Sequence, residues 1–108
     1  MNFSEYQSKA YKTAIYPKEM AVIYPTLGLA GEAGEVANQV KKRFRDDGGE
    51  VTQERVQDTA HELGDLLWYI AAICTDMGLN MDDIAADNIA MLESRQERGT
   101  IHGDGDHR

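Results

Sequence analysis

The chain has 108 residues, with 19 acidic against 11 basic side chains, a formal charge of -8 and one cysteine. This length predicts a single domain, the lone Cys74 excludes a disulfide framework or a cysteine zinc cluster, and the acidity disfavours a broad surface for DNA or RNA. No stretch reaches the roughly 18 apolar residues of a membrane span, and the first residues lack the apolar core of a signal peptide. We therefore expect a cytoplasmic protein that contacts no membrane and no nucleic acid polymer.

The first two predicted helices are bounded by capping residues and prolines. Ser4 opens a capping-box pattern that predicts a first helix over about 5–15, after which Pro17 turns the chain. Thr26 is the predicted N-cap of a second helix that continues to about Arg45. Each glycine inside this helix costs up to about 1 kcal/mol relative to alanine, which indicates close helix packing or a ligand. These glycines are Gly28, Gly31 and Gly34.

The second half of the chain predicts two further helices. A third helix over 53–77 has Thr52 as its N-cap and Gly78 as its left-handed C-terminal residue. A fourth helix over 81–98 ends at Gly99. Because no alternating strand pattern, heptad run or internal repeat occurs, the predicted fold is all-α, a four-helix antiparallel bundle.

Two of these helices carry acidic pairs at a spacing of three residues. Glu32 and Glu35 lie on the second helix, and Glu62 and Asp65 lie on the third. Residues three apart sit about 5 to 6 Å from each other on one helix face, so two pairs make an oxygen cage. Mg²⁺ prefers such hard oxygen ligands. Without a cation the four acids repel one another, which predicts raised and coupled pKa values.

An ordinary solvated helix face also carries Glu-x-x-Glu, so the spacing alone does not establish a site. The surroundings of Glu62 and Asp65 favour the metal site, because the segment HELGDLLWYIAAI leaves little surface on which to solvate them. An acidic stripe runs along this helix beside a broad apolar arc. Its members are Asp58, Glu62, Asp65, Tyr69 and Asp76.

The phrases GLAGEAGEV and ELGDLLWYI contain the four acids in the order Glu-x-x-Glu, spacer, Glu-x-x-Asp. In these phrases the chain resembles the MazG-like family of all-α nucleoside triphosphate pyrophosphohydrolases. The resemblance covers nearly the whole length, and the opening FSEYQSKAYKTAIYP and the ending NIAMLESRQERGTIHGDGDHR resemble the compact single-domain branch. We accordingly divide the chain into a catalytic domain, 1–98, and a tail, 99–108. The tail either covers bound phosphates as a lid or is a disordered terminus.

The resemblance implies cleavage of a nucleoside triphosphate, expected to be a deoxynucleotide, between the α and β phosphates. The four acids then serve as catalytic groups and as ligands of Mg²⁺, with Mn²⁺ as a substitute, in a homodimer or homotetramer. Two departures stand out. Many relatives have an acid at the position of Gly31, so the general base stays unassigned, and many have lysine at the position of Met91.

Three polar side chains are candidates for contact with the nucleotide. Lys42 shares the acidic face of the second helix and either reaches a phosphate or complements the helix dipole. Asn88 and Arg95 match nucleotide-contacting positions of the family, although both also fit exposed positions on the fourth helix.

Aromatic residues supply the candidates for contact with the base. Tyr69 shares the acidic stripe, whereas Trp68 lies off it and is better explained by packing in the core or against another subunit. Residues near the first turn are further candidates for a base pocket. These are Ile15, Tyr16 and Tyr24.

Two other functions compete with hydrolysis. A di-iron or di-manganese carboxylate protein requires Glu-x-x-His on two helices, and the chain contains no such motif. A non-catalytic helical module that binds nucleotides or a protein partner remains the alternative. Release of pyrophosphate distinguishes it from the enzyme.

Overall fold

The computed structural model describes all 108 residues, which form four α-helices, one short 3-10 turn and no strand. The predicted all-α class is therefore confirmed. No helix combines the length and the apolar character that crossing a membrane requires. The helices are α1 (Phe3–Tyr11), α2 (Ile23–Arg45), α3 (Gln53–Asp76) and α4 (Met81–Glu97), and the 3-10 turn is Lys18–Met20.

Helix α1 is shorter than predicted and has a different cap. Asn2, not Ser4, is the N-cap, and its side chain accepts a hydrogen bond from the backbone of the first turn. At the other end the carbonyl of Ala10 accepts hydrogen bonds from the Thr13 hydroxyl at 2.7 Å and from the Trp68 indole at 3.2 Å. The backbone N–H of Thr13 donates to the same carbonyl at 3.0 Å in a tighter three-residue turn, and the helix ends four residues before the predicted boundary.

Helix α2 begins four residues earlier than predicted, because its N-cap is Val22 and not Thr26. Thr26 is not the N-cap, because Pro25 already occupies the first turn, where its missing N–H has no intrahelical acceptor to lose. The actual N-cap is Val22, which has a left-handed φ of 68° and no side chain able to cap. The C-terminal boundary at Arg45 is as predicted.

The boundaries of α3 and α4 agree with prediction to within one residue. The Thr52 hydroxyl accepts a hydrogen bond from the backbone N–H of Arg55 at 3.1 Å. Gly78 and Gly99 follow the two helices with φ of 71° each, a conformation that glycine adopts without steric cost. Asn80 caps α4 through two backbone N–H groups.

Helices α2 and α3 form an antiparallel pair. Arg55 near the start of α3 donates to Gln39 near the end of α2 at 3.0 Å. At the opposite end the ring of Tyr69 lies against α2, where a Cβ at Gly28 would be only 2.1 Å from Cε1 of that ring. Close packing therefore explains Gly28, while Gly34 has open space around it.

Helix α1 packs on α3, and α4 packs chiefly on α1. The Asp82 carboxylate accepts hydrogen bonds from the backbone N–H of Ser4 at 3.2 Å and from its hydroxyl at 2.6 Å. The buried amide of Gln7 donates to the carbonyl of Leu79 and accepts from the N–H of Met81. These polar contacts fasten α1 to the junction between α3 and α4.

The buried core is small. Only 9 of 108 residues are buried, and the apolar cluster consists of Ala10, Ala71, Cys74 and Met81. Several side chains of the apolar arcs on α2 and α3 are instead exposed by half or more. They are Val40, Phe44, Val56 and Leu63.

Candidate functional site

Three acidic side chains meet where α2 and α3 cross. Glu32 comes from α2, and Glu62 and Asp65 come from one face of α3. One carboxylate oxygen from each lies within 4.8 Å of the others. Glu32 and Glu62 are partly buried and Asp65 is exposed, so the cluster sits at the edge of the helix pair and opens to solvent.

The electrostatics of this cluster are unfavourable without a cation. The Oε2 atom of Glu32 is buried and has no hydrogen-bond partner. The carboxyl contact with Glu62, burial, and the charges of Asp65, Glu62 and Glu35 raise the pKa of Glu32. The predicted rise in pKa is therefore found for Glu32. A buried acceptor without a donor, surrounded by acids, fits a hard divalent cation.

Glu35 lies outside the group of three. It is exposed, and its charge is the weakest of the influences that raise the pKa of Glu32. The structure thus brings three of the four predicted ligands together and leaves the fourth beside them on the same helix. The role of Glu35 as a metal ligand remains a prediction.

A cavity of about 590 Å³ adjoins the acids. Glu32 and Asp65 line one part of it, and aromatic side chains line much of the rest. The cavity contains Ile15 at its rim, where this side chain is almost fully exposed. One continuous space therefore offers carboxylate oxygens and apolar ring faces together.

Four rings form a continuous aromatic wall. The Tyr16 and Tyr24 rings are stacked with centroids 5.0 Å apart, and Tyr69 follows at 6.4 Å from Tyr24. Trp68 meets Tyr69 edge to face at 5.2 Å. Burial is the largest cause that raises the pKa of the Tyr69 hydroxyl, followed by the proximity of Tyr24. All four rings line the cavity, and Trp68 also packs against the buried core, which is the interpretation that the sequence favoured.

The remaining substrate-contact candidates do not line this cavity. Lys42 is partly buried further along α2, and Asn88 is exposed on α4. Arg95 is only 5% exposed, and its guanidinium donates to the carbonyl of Asp106 at 3.1 Å. Asn88 and Arg95 lie on α4, which packs chiefly on α1 and not on the helix pair that carries the acids. Their contact with a nucleotide stays a prediction.

The tail, 99–108, folds back at the end of α4. The Arg108 side chain donates to the carbonyls of Thr100 and Ile101, and Arg98 donates to the Arg108 carbonyl at 2.6 Å. The cavity lining includes no tail residue. The proposed lid therefore stays a prediction.

Sequence reasoning missed several residues that shape the site. Thr13 and Pro17 line the cavity, although no motif marks them. Gly28 was not missed, because its place inside a helix predicted close packing or a ligand, and it makes room for the Tyr69 ring. Asp76 was placed on the acidic stripe without a partner, and the structure supplies three donors for it.

Comparison with known proteins places this site in a family. Residues 25–100 match the model of the MazG nucleotide pyrophosphohydrolase domain, and this segment contains all four candidate acids. The gene 37 protein of Mycobacterium phage L5 is 42% identical over 114 aligned positions, which cover both chains completely. No solved structure matches the chain. The resemblance found in the sequence is confirmed, and the chain belongs to the MazG nucleotide pyrophosphohydrolase family.

Proposed function

We propose that the protein is a Mg²⁺-dependent hydrolase of nucleoside triphosphates, with a deoxynucleotide as the expected substrate. Water attacks the α-phosphorus, the bond to the oxygen that bridges the α and β phosphates breaks, and a nucleoside monophosphate and pyrophosphate leave. One observation carries the proposal. A single cavity joins a cluster of carboxylates, with an unpartnered buried oxygen on Glu32, to an aromatic wall.

The acidic end of the cavity suits a divalent metal. Glu32, Glu62 and Asp65 would hold the ion, and Glu35, on the same face of α2, completes the proposed ligand set. Oxygen ligands alone favour Mg²⁺ or Mn²⁺ over softer metals. A bound Mg²⁺ supplies charge neutralisation at the phosphate oxygens and a more acidic water molecule.

The residues of the chain supply orientation. The aromatic wall offers ring faces on which a base can stack, a contact worth about 1–3 kcal/mol per base. Glu32 and Asp65 border the same cavity, so the phosphates are directed toward the acids. Gly31 provides no acid, and nothing lies within 4 Å of the position its Cβ would occupy. Activation of water is therefore left to the clustered carboxylates and the metal.

The decisive experiment follows the products in labelled water. Purified protein is incubated with Mg²⁺ and a panel of ribo- and deoxynucleoside triphosphates in H₂¹⁸O, and the products are separated and weighed by mass spectrometry. We expect one ¹⁸O in the monophosphate and none in the pyrophosphate, because the attack is at the α-phosphorus. Label in the pyrophosphate would contradict this mechanism. Nucleotide binding without any pyrophosphate release would support the non-catalytic module instead.

The matched control is the same substitution at an exposed glutamate. Glu62→Gln removes one proposed ligand, whereas Glu93→Gln changes an exposed acid on α4 away from the cavity. We expect the first variant to lose turnover and the second to retain it.

We also propose that the chain works as a homodimer or homotetramer. Its accessible surface is 7673 Å², compared with about 6,000 Å² expected for a compact monomer of 12.0 kDa. Exposed apolar residues near the end of α2, including Val40 and Phe44, contribute to this excess. A standard interface removes about 800 Å² from each partner, which is about half of this excess, so a larger interface or a second one would be needed to bury the rest. Light scattering at micromolar concentration tests the proposal, and a monomer mass would refute it.

A further inference from the structure

The carboxylate of Asp76 accepts three hydrogen bonds, more than any of the clustered acids Glu32, Glu62 and Asp65. Asp76 ends α3, eleven residues after Asp65, which is about three turns and about 16 Å along the helix. It accepts hydrogen bonds from the hydroxyl of Tyr11 at 2.6 Å, from the hydroxyl of Tyr16 at 2.7 Å and from the backbone N–H of Val22 at 2.9 Å. Asp76 therefore lies on the same face of α3 as Glu62 and Asp65, but its hydrogen bonds go to Tyr11, Tyr16 and Val22 and not to the acidic cluster.

These donors keep Asp76 ionised. Burial favours the neutral acid, but the hydrogen bonds from Tyr11, Val22 and Tyr16 outweigh it and lower the pKa of Asp76. The resulting negative charge lies at the N-terminus of α2, where Val22 has no side chain able to cap the helix. A carboxylate from α3 thus caps α2 from outside.

The backbone at Val22 needs such support. Its φ of 68° lies in the left-handed region, which a β-branched residue rarely adopts. A conformation of this kind persists only where surrounding contacts determine it. The hydrogen bond to Asp76 fixes this residue, and with it the point where the segment after α1 enters α2.

The same carboxylate controls one face of the cavity. The Tyr16 hydroxyl is held by Asp76, while the Tyr16 ring stacks on Tyr24 in the cavity lining. Asp76 itself does not line the cavity. Tyr11, which binds the other carboxylate oxygen, does not line it either. The network therefore joins a partly buried carboxylate to the aromatic wall through one ring, that of Tyr16.

We propose that Asp76 is a positioning residue for the nucleoside end of the substrate. By holding Tyr16 and the backbone turn at Val22, it sets the ring face against which the base packs, and it leaves the metal and phosphate end unchanged. This inference rests on the proposed function, since it assigns the base to the aromatic wall.

The test compares two tyrosines that bind the same carboxylate. Tyr16→Phe and Tyr11→Phe each delete one hydroxyl donor to Asp76, but only the first alters the cavity wall. Asp76→Asn weakens the whole network. For each protein, kcat and KM are measured with a deoxynucleoside triphosphate, and tripolyphosphate, which has no base, is tested as a competitive inhibitor.

We expect Asp76→Asn to raise KM about tenfold, the change that corresponds to losing one hydrogen bond to a charged group. Tyr16→Phe should raise KM several-fold and Tyr11→Phe less than twofold, with kcat little changed in all three. Inhibition by tripolyphosphate should stay at the wild-type level. If the variants bind nucleotide and tripolyphosphate more weakly by the same factor, Asp76 has only a structural role and the proposal is overturned. An unchanged KM in Asp76→Asn and Tyr16→Phe would also overturn it. If Asp76→Asn does not fold, Tyr16→Phe decides the question.

A binding readout keeps this test independent of turnover. Trp68 is the single tryptophan and lines the cavity, so its fluorescence reports ligand binding directly. The ratio of the Kd values for nucleotide and tripolyphosphate should rise in Tyr16→Phe and stay constant in Tyr11→Phe. Wild-type protein that binds nucleotide without releasing pyrophosphate would contradict the proposed function alone. An unchanged ratio in Tyr16→Phe would contradict the role of Asp76 alone.

Discussion

Replacing Glu32 with glutamine should stabilise the metal-free protein at neutral pH while removing its response to metal. The amide has nearly the shape of the carboxylate but no charge. Glu32 takes part in two of the three repulsive pairs of the cluster, because its oxygen lies within 4.8 Å of those of Glu62 and Asp65. The substitution therefore removes most of the repulsion in one step.

The size of the effect follows from that distance. Two unit charges 4.8 Å apart repel by about 1 kcal/mol in water and by about 3.5 kcal/mol at an effective dielectric constant of 20. The exposed side of the cluster favours the lower value, and the raised pKa of Glu32 removes part of its charge. We expect a net gain of about 1–2 kcal/mol in the free energy of unfolding, which is about 5–10 °C in Tm for a chain of this size.

Thermal unfolding in EDTA and in Mg²⁺ measures this prediction. In EDTA at pH 7 the Tm of Glu32→Gln should exceed that of the wild type. Adding Mg²⁺ should raise the Tm of the wild type, because a ligand that binds only the folded state stabilises it, and should leave the variant unchanged. Glu93→Gln, an exposed acid on α4, serves as the control and should behave as the wild type in both media.

The pH dependence gives an independent check of sign. Because the pKa of Glu32 in the folded state is raised above its ordinary value of 4.5, the folded protein binds the proton more tightly than the unfolded chain. In EDTA, the wild type therefore loses stability as the pH rises from 4.5 to the raised pKa of Glu32. Over the same pH range the Tm of Glu32→Gln should come to exceed that of the wild type. A lower Tm for Glu32→Gln in EDTA at pH 7, or an unchanged response to Mg²⁺, would refute the reasoning.

Three further predictions concern other parts of the molecule. Gly28→Ala places a Cβ 2.1 Å from the Tyr69 ring, so we expect overpacking to lower the free energy of unfolding by about 1–3 kcal/mol. The displaced ring should also raise KM. Gly34→Ala is the control, because it adds a Cβ in open space, and it should raise the free energy of unfolding by up to about 1 kcal/mol. Asp82→Asn should remove a stabilisation that is present above the ordinary pKa of 3.8 and is lost as the pH falls through the lowered pKa, so acid titration of wild type and variant should converge only at low pH. Asp65→Asn should abolish turnover with helicity intact by circular dichroism, and Glu35→Gln should do the same if this exposed acid completes the ligand set. Retained pyrophosphate release in both would defeat the assignment.

Local chemistry explains why α3 and α4 could be predicted so closely. Thr52 and Asn80 cap the backbone N–H groups of their own helices, and Gly78 and Gly99 end them through a conformation that few other residues adopt. Each signal and its partner lie within a few residues of each other in the chain. No knowledge of tertiary contacts is needed to interpret them.

The sequence named Tyr16, Tyr24 and Tyr69 as candidates for contact with the base, and they line the cavity, but the contacts that hold this wall in place could not be predicted in the same way. The Trp68 indole, which lines the cavity, donates to the Ala10 carbonyl at the end of α1, 58 residues earlier in the chain. Helical periodicity placed Asp76 on a face but said nothing of Tyr11 and Tyr16, which arrive from another element. Likewise, the spacing of the four acids did not reveal that Glu35 stands apart, since that depends on how α2 is rotated against α3.

The charge balance of the cavity predicts that nucleotide binding depends on metal. The cavity lining includes Glu32 and Asp65 but no lysine or arginine, and Lys42 and Arg95 lie elsewhere. A polyphosphate that enters this cavity without a cation is repelled by the acids. A divalent ion that bridges the acids and the phosphates turns this repulsion into attraction. Titration with a deoxynucleotide, followed by the fluorescence of Trp68, should therefore show binding in Mg²⁺ and none in EDTA. Equally tight binding in EDTA would mean that the positive charge comes from protein, and Lys42 and Arg95 of a second copy would be the side chains to replace next.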